Sequence, residues 1–260
     1  MAVGLAVGSG WASAAETVTL PTADEIIGRM KAKWAEMKSF ELVEKVTGDY
    51  SNPTLKMTGT IRVAAELGKK DGKSTERCAL IGKWITRGPE CRTFTEYMKL
   101  VYDGKYFWTE QRNSMGPRVD AGKDLAKTGE GAASAYLQHY YEWDPSTVEE
   151  FIHAEGHDMK VVGEETIGGQ KMYVLEGSWN PAENNGTISK RKVWIGVDDL
   201  FIRRSVHTVD NGKDKKVVTF ERSRVKVDQK IDPKVFKYKP PTDRPPKGVG
   251  IWDRTGAEGK

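Results

Sequence analysis

Long apolar runs are missing from this chain of 260 residues, and so are most residues that build metal or thiol chemistry. No stretch reaches the roughly 18 to 20 apolar residues of a membrane-spanning helix, which excludes an integral helical membrane protein. Four histidines and two widely spaced cysteines leave little material for a metal site. G-x-S-x-G, P-loop and dinucleotide-binding motifs are also missing, so we expect binding rather than catalysis, with no cofactor and no metal.

The chain also lacks a large excess of charge of either sign. The 41 basic and 37 acidic residues leave a net charge of +4, which argues against a nucleic-acid-binding protein. His153 and His157 have the i, i+4 spacing of a helical metal pair. However, Gly156 interrupts the helix, and the glutamate of a zincin motif is absent beside His153. A metal site at this pair is therefore the weaker interpretation.

The N-terminal residues 1–15 carry no charge and end in small residues, as a secretory signal peptide does before its cleavage site. We expect a mature chain that begins at Ala15 or Glu16, a periplasmic location, one domain over residues 16–241 and a loose tail over residues 242–260. The basic residues that open a signal peptide are missing, so an Ala- and Gly-rich terminus is the alternative.

A capping box at Thr22 and Glu25 predicts the start of a helix over residues 22–38. Ile26, Ile27, Met30, Trp34 and Met37 then recur at three- and four-residue spacing and form one apolar stripe. This stripe either packs on the protein's own sheet, which is the default, or covers an open ligand cavity as a lid. A lid is expected to be less buried than a core.

From Phe40 onward the apolar period switches to two, which predicts strands. Asp103-Gly104 sits between two such runs and predicts a hairpin, and Gly168-Gly169 and Asn211-Gly212 predict further turns. Later strands are expected at 171–177, 187–197, 200–209 and 214–228, after a helical insertion over roughly 121–154. The order favours an α+β domain: one antiparallel sheet with helices gathered on one face.

Four segments resemble the periplasmic lipoprotein carriers of the LolA/LolB-like superfamily. They are the N-terminal helix, the hairpin Asp103-Gly-Lys-Tyr-Phe-Trp108, the strand-turn-strand of 162–176 and the closing strands from Val193 to Phe236 with Pro240-Pro241. The resemblance covers roughly residues 23–241. It implies an unclosed, strongly curved half-barrel, with helices on its concave face and a cavity that accepts acyl chains.

The same resemblance implies a monomeric, non-catalytic carrier or binding protein for lipids or lipoprotein acyl chains, in outer-membrane lipoprotein sorting. The alternative is an envelope sensor or protein-interaction module with a membrane-protein partner. Arg62 is out of phase with the basic gating residue of the carriers, and Ala64-Ala65 replaces an Arg-Pro pair, so that role is not transferred. The expected lipid-binding residues of cavity and lid are Ile27, Met30, Trp34, Met57, Ile61, Trp108 and Trp194.

The two cysteines, Cys78 and Cys91, fall on neighbouring strand candidates joined by a turn near Gly88-Pro89. Export permits oxidation, so we predict a Cys78–Cys91 disulfide. Two buried free thiols are the alternative, because the spacing alone does not decide between them.

Overall fold

The computed structural model describes residues 20–67, 77–89, 93–104, 107–113, 116–122, 152, 158–179 and 186–239. The predicted signal peptide, His153, His157, Cys91 and the C-terminal tail lie outside these ranges, and so does most of the predicted helical insertion. Of that insertion, residues 121–122 end a strand, and Ile152 is helical and fully buried.

The elements whose bounds the structure gives are a helix, eleven strands and, last, a short 3-10 helix. Helix α1 covers Ala23–Glu36; the strands are β1 Ser39–Ser51, β2 Thr54–Glu66, β3 Arg77–Arg87, β4 Phe94–Tyr102, β5 Phe107–Asn113, β6 Gly116–Gly122, β7 Lys160–Ile167, β8 Gln170–Trp179, β9 Ile188–Gly196, β10 Ile202–Asp210 and β11 Lys215–Val227, and the 3-10 helix is Pro233–Phe236.

The predicted capping box starts α1. Thr22 Oγ1 accepts a hydrogen bond from the Glu25 amide (3.2 Å), and the Thr22 amide donates to Glu25 Oε2 (2.7 Å). These bonds satisfy two amides that have no partner within the helix. The bond from the Thr22 amide also lowers the pKa of the Glu25 carboxyl, since it favours the ionised form.

All strands join one antiparallel sheet in the order β6-β5-β4-β3-β2-β1-β11-β10-β9-β8-β7. The first and last strands along the chain meet in the middle, where Val46 of β1 faces Phe220 of β11. β6 and β7 form its two edges, so the sheet is not closed within the described residues. The predicted α+β class, the four later strands and the hairpin turns are confirmed.

The sheet buries both of its faces, in different ways. The inner face, which carries α1, holds the main core; its sheet residues include Leu42, Val46, Ile61, Val63, Leu80, Leu100, Leu175, Val193 and Ile195. The outer face has two smaller clusters. One forms where the C-terminal strap (residues 230–239) packs Ile231 and Phe236 on Ala64, Ala79 and Val101. The other joins Met172, Val174 and Trp194.

No helix in the described ranges has the length and apolar character needed to cross a membrane. α1, the longest one described, has 14 residues and exposes charged side chains along one side.

Candidate functional site

The apolar stripe of α1 lies flat on the inner face. Ile26 and Met30 are fully buried, and Ile27 and Trp34 are 3% and 1% exposed. The stripe is therefore as deeply buried as the strands beneath it. The stripe thus packs on the protein's own sheet, as the default interpretation predicts, and its role as a lid over a ligand cavity stays a prediction.

Aromatic rings join the helix to the sheet. The Trp34 indole lies 5.8 Å from the Phe201 ring in a tilted arrangement, and Phe201 meets Phe40 of β1 edge-on at 6.1 Å. Both distances are in the favourable range for aromatic pairs. The three rings form a continuous apolar contact from the helix through the β9–β10 turn to the centre of the sheet.

The β9–β10 turn fixes Phe201 in this position. Asp199 Oδ1 accepts a hydrogen bond from the Phe201 amide (3.0 Å), and the Asp199 carboxylate also pairs with Arg203. Leu200 takes a left-handed conformation, with a φ of 54°. The sequence pattern gave no sign that this turn presents an aromatic ring to the helix.

Side-chain hydrogen bonds also attach α1 to β8 and to the β9–β10 turn. The Arg29 guanidinium donates to the Tyr173 hydroxyl (3.4 Å), and Lys33 Nζ donates to the Asp198 carbonyl (2.8 Å). Lys33 is exposed, so its bond stabilises the docked helix only weakly. The attachment of α1 depends mainly on apolar contact.

The helix is tied firmly at its C-terminal end. Asp228 Oδ1 accepts hydrogen bonds from the amides of Lys38 (2.6 Å) and Ser39 (3.3 Å), and Ser39 Oγ donates to the Gln229 carbonyl (2.8 Å). A pocket of about 160 Å³ opens beside this junction, between Trp34, Phe201 and the end of β11. The apolar cover is thus anchored at one end and open to a small pocket beside it.

Glycines create a slot for a second tryptophan on the inner face. A Cβ at Gly82 would lie 2.2 Å from the Trp84 ring, and one at Gly59 would lie 2.6 Å from it. The indole therefore lies flat across β2 and β3 instead of standing up from the sheet. Met57 is half-buried and packs against the same core cluster.

One ion pair interrupts the apolar inner face. Arg222 Nε of β11 donates to Glu44 Oε2 of β1 across 2.7 Å, and the two side chains are 0% and 2% exposed. Strand alternation from Phe40 places Glu44 on this face, so the sequence contained the signal. Our interpretation followed the apolar residues only and missed the pair.

Five of the seven predicted lipid-binding residues lie together on the inner face: Ile27, Met30, Trp34, Met57 and Ile61. Their lipid-binding role stays a prediction.

The structure places the other two predicted residues, Trp108 and Trp194, on the outer face. Trp108 faces Val101 across the hairpin and stacks on Tyr238 of the strap at 5.4 Å. These two assignments are corrected, because the sequence interpretation did not follow the strand alternation at these positions.

Trp194 has a polar environment on the outer face. Its Nε1 donates to Glu165 Oε2 (2.8 Å), and the cations of Lys192 and Arg204 lie 4.9 and 4.8 Å from its ring. This side chain stabilises the β7–β10 part of the sheet through cation–π contacts and a hydrogen bond.

The predicted Cys78–Cys91 disulfide is also corrected, because Cys78 is a free, buried thiol. It lies near the start of β3, and the chain leaves that strand at Arg87, nine residues and about 30 Å away. A disulfide requires Cα atoms within about 7 Å. Burial raises the pKa of the Cys78 thiol to about 12, which keeps it protonated and unreactive.

No protein-family profile matches the chain, and no curated protein matches it. Solved structures do show similarity. A LolA superfamily protein from Nitrosomonas europaea is 11% identical, with 84% of this chain and 99% of that chain covered and a TM-score of 0.31. The Mycobacterium tuberculosis lipoprotein LppX is 12% identical, with 81% and 98% covered and a TM-score of 0.36.

A chain of the Pseudomonas aeruginosa MucA/MucB complex is 13% identical, with 84% of this chain and 61% of that chain covered and a TM-score of 0.42. At these scores the similarities carry no information about a shared site or ligand. The architecture itself, an unclosed antiparallel sheet with a helix on its inner face, is the one that the sequence resemblance to the LolA/LolB-like carriers predicted.

Proposed function

We propose that the protein binds acyl chains of lipids or lipoproteins on the inner face beneath α1, as a carrier in the periplasm that takes part in outer-membrane lipoprotein sorting. The observation that supports this most is the apolar docking of α1. A wide apolar face of an unclosed sheet is covered by a helix whose contact stripe contains Ile26, Ile27, Met30 and Trp34.

Exchange of the helix for a ligand is energetically feasible on such a face. Exposed apolar surface costs about 25 cal/mol per Å², so the inner face needs a cover at all times. An acyl chain replaces apolar helix contacts with apolar ligand contacts, and each buried methylene contributes about 0.8 kcal/mol. The exposed Lys33 bond and the anchored junction at Asp228 suit a helix that moves about its C-terminal end.

The lining suits a ligand of variable shape. Met30, Met37 and Met57 belong to the core cluster or pack against it, next to Trp34. Methionine side chains are flexible and adapt to different partners. We propose that binding involves no chemical step, no cofactor and no metal, with a monomer as the active form.

A chain-length series tests this proposal. Binding of octanoate, dodecanoate and hexadecanoate, measured by displacement of a fluorescent fatty acid, should tighten about fourfold per added methylene until the face is filled. Met57→Lys should weaken this binding, because Met57 borders the inner-face core. Its matched control is Thr58→Lys, since Thr58 is exposed on the outer face one residue away.

Affinity that does not depend on chain length, or no saturable binding at all, would contradict the proposal. The protein-interaction hypothesis would then lead. Its own test is the isolation of a stable complex with an inner-membrane protein that contains no bound lipid.

A further inference from the structure

A pocket of about 320 Å³ lies on the outer face, on the side of the sheet opposite α1. It spans β3, β2, β1 and β11, and Val235 of the C-terminal strap forms one wall. Its floor is apolar and dips at Ala64 and Ala79, two small residues that face each other on β2 and β3. Val43 and Ile81 complete the floor.

The rim of this pocket is basic. Arg62, Arg224 and Lys226 line it together with one acid, Glu41. Lys226 Nζ lies 3.6 Å from Glu41 Oε2, an exposed and therefore weak pair. Arg62 and Arg224 are exposed, and neither has a hydrogen bond or ion pair within the described part of the chain. Two guanidinium groups are thus available to an anion.

Arg224, which lines the pocket, lies in a β-bulge of β11. The pairing of β1 with β11 shifts between Val43↔Ser223 and Glu41↔Lys226, so β11 has one extra residue at this point. Arg224 adopts a φ of 54°, a left-handed conformation that is uncommon for residues other than glycine. Bulges often redirect a side chain next to a functional site.

The strap adds positive charge beside the pocket. It buries Ile231 and Phe236 against the sheet, while its lysines are exposed. Asp232 is the acid of this segment, and its carboxylate accepts a hydrogen bond from the Lys234 amide. The exposed lysines are Lys230, Lys234, Lys237 and Lys239.

We propose that this pocket and the adjoining strap are a docking surface for a bilayer rich in anionic phospholipid. Arg62 and Arg224 contact the headgroup phosphates, and the apolar floor receives the glycerol region of one lipid. Charge complementarity supports a membrane as the occupant, because anionic bilayers attract clusters of Lys and Arg at about 1 kcal/mol per residue. This inference goes beyond acyl-chain binding and uses the opposite face of the sheet.

Vesicle flotation tests the inference with the full chain. Phosphatidylcholine vesicles that contain phosphatidylglycerol should carry the protein, and pure phosphatidylcholine vesicles should not. The double variant Arg62→Gln/Arg224→Gln should lose about thirtyfold in partitioning at an ionic strength of about 0.1 M, where the Debye length is about 10 Å. The control Arg87→Gln/Lys213→Gln removes the same charge at the far end of the strands and should lose less than threefold, since charge effects fall off within a Debye length.

Three results would overturn the inference: equal loss in the two double variants, equal flotation with neutral vesicles, or release by inorganic phosphate at an ionic strength where chloride does not release the protein. The last would identify a site for free anions. The fatty-acid displacement assay on Arg62→Gln/Arg224→Gln should be unchanged. Failure of the docking surface is therefore distinguishable from failure of acyl-chain binding.

Discussion

The two faces of the β1–β11 pair each carry one ion pair, and the comparison shows how different the faces are. On the inner face Glu44 and Arg222 are 2.7 Å apart, and their side chains are 2% and 0% exposed. On the outer face Glu41 and Lys226 are 3.6 Å apart, and their side chains are 32% and 54% exposed. The same two strands thus border a dry, apolar space on one side and water on the other.

Removal of one charge on each face should give the largest contrast. Glu44→Leu removes the carboxylate that lies 2.7 Å from the buried Arg222 Nε, so we expect a loss of about 3–5 kcal/mol in the free energy of unfolding. Glu41→Leu should change that free energy by less than about 1 kcal/mol, because its pair is exposed to solvent. Urea unfolding measures both.

The double variant Glu44→Leu/Arg222→Met sharpens this comparison. Replacement of both charges by apolar side chains should recover most of the loss, since a buried pair is often no more stable than an apolar substitute. An unfolding free energy of Glu44→Leu close to that of the parent would mean that water reaches the pair, and the inner face would not be dry.

Two glycine-to-alanine substitutions should change the free energy of unfolding less than Glu44→Leu does, and in opposite directions. Gly82→Ala forces a Cβ to within 2.2 Å of the Trp84 ring, so overpacking should cost about 1–3 kcal/mol. Gly28→Ala is the matched control, because Gly28 is exposed in α1 and a Cβ there meets nothing within 4 Å. It should stabilise the protein by up to about 1 kcal/mol. Equal effects in the two variants would contradict the flat placement of Trp84.

Alkaline pH should give the mildest contrast, and one group of raised pKa from each face serves to measure it. Burial raises the pKa of Cys78 on the inner face to about 12. Burial, followed by the nearby Glu110 carboxylate, raises the pKa of Tyr238 on the outer face. A raised pKa stabilises the fold fully below the unfolded value, and this contribution is lost as the pH rises through the folded value.

The unfolded pKa values, about 8.5 for cysteine and 10 for tyrosine, separate the two contributions. Cys78→Ala should flatten the decline in stability that starts near the lower value. Tyr238→Phe should flatten the decline that starts near the higher one. Urea midpoints at a series of pH values measure both slopes, and an unchanged profile in Cys78→Ala would argue that the thiol is not buried.

Local patterns predicted much of this fold. The capping box at Thr22, the period of two from Phe40 and the Asn211-Gly212 turn all depend on nearby residues, and the structure has each of them. Residues brought together by the sheet were harder to predict. Trp108 and Trp194 were assigned to the wrong face because strand phase was not followed there, whereas the contact of Phe201 with Trp34 depends on a turn far along the chain.

For Arg62, strand alternation was followed, and it predicted the correct face of the sheet. Strand alternation separated it from the gating residue of the LolA/LolB-like carriers, and it indeed lies on the outer face, where it lines the basic pocket. The pocket itself was beyond prediction, since it combines Arg62 with a bulge in β11 and with the strap.

Quenching of individual tryptophans by a brominated fatty acid tests the central claim most directly. Trp34 lies on the inner face and Trp194 on the outer face, so each reports on one side of the same sheet. We predict saturable quenching in a variant that keeps Trp34 and has its other seven tryptophans replaced by Phe, and none in the matched variant that keeps Trp194 instead. Quenching of the Trp194 variant without quenching of the Trp34 variant would place the acyl chain on the outer face and contradict the account.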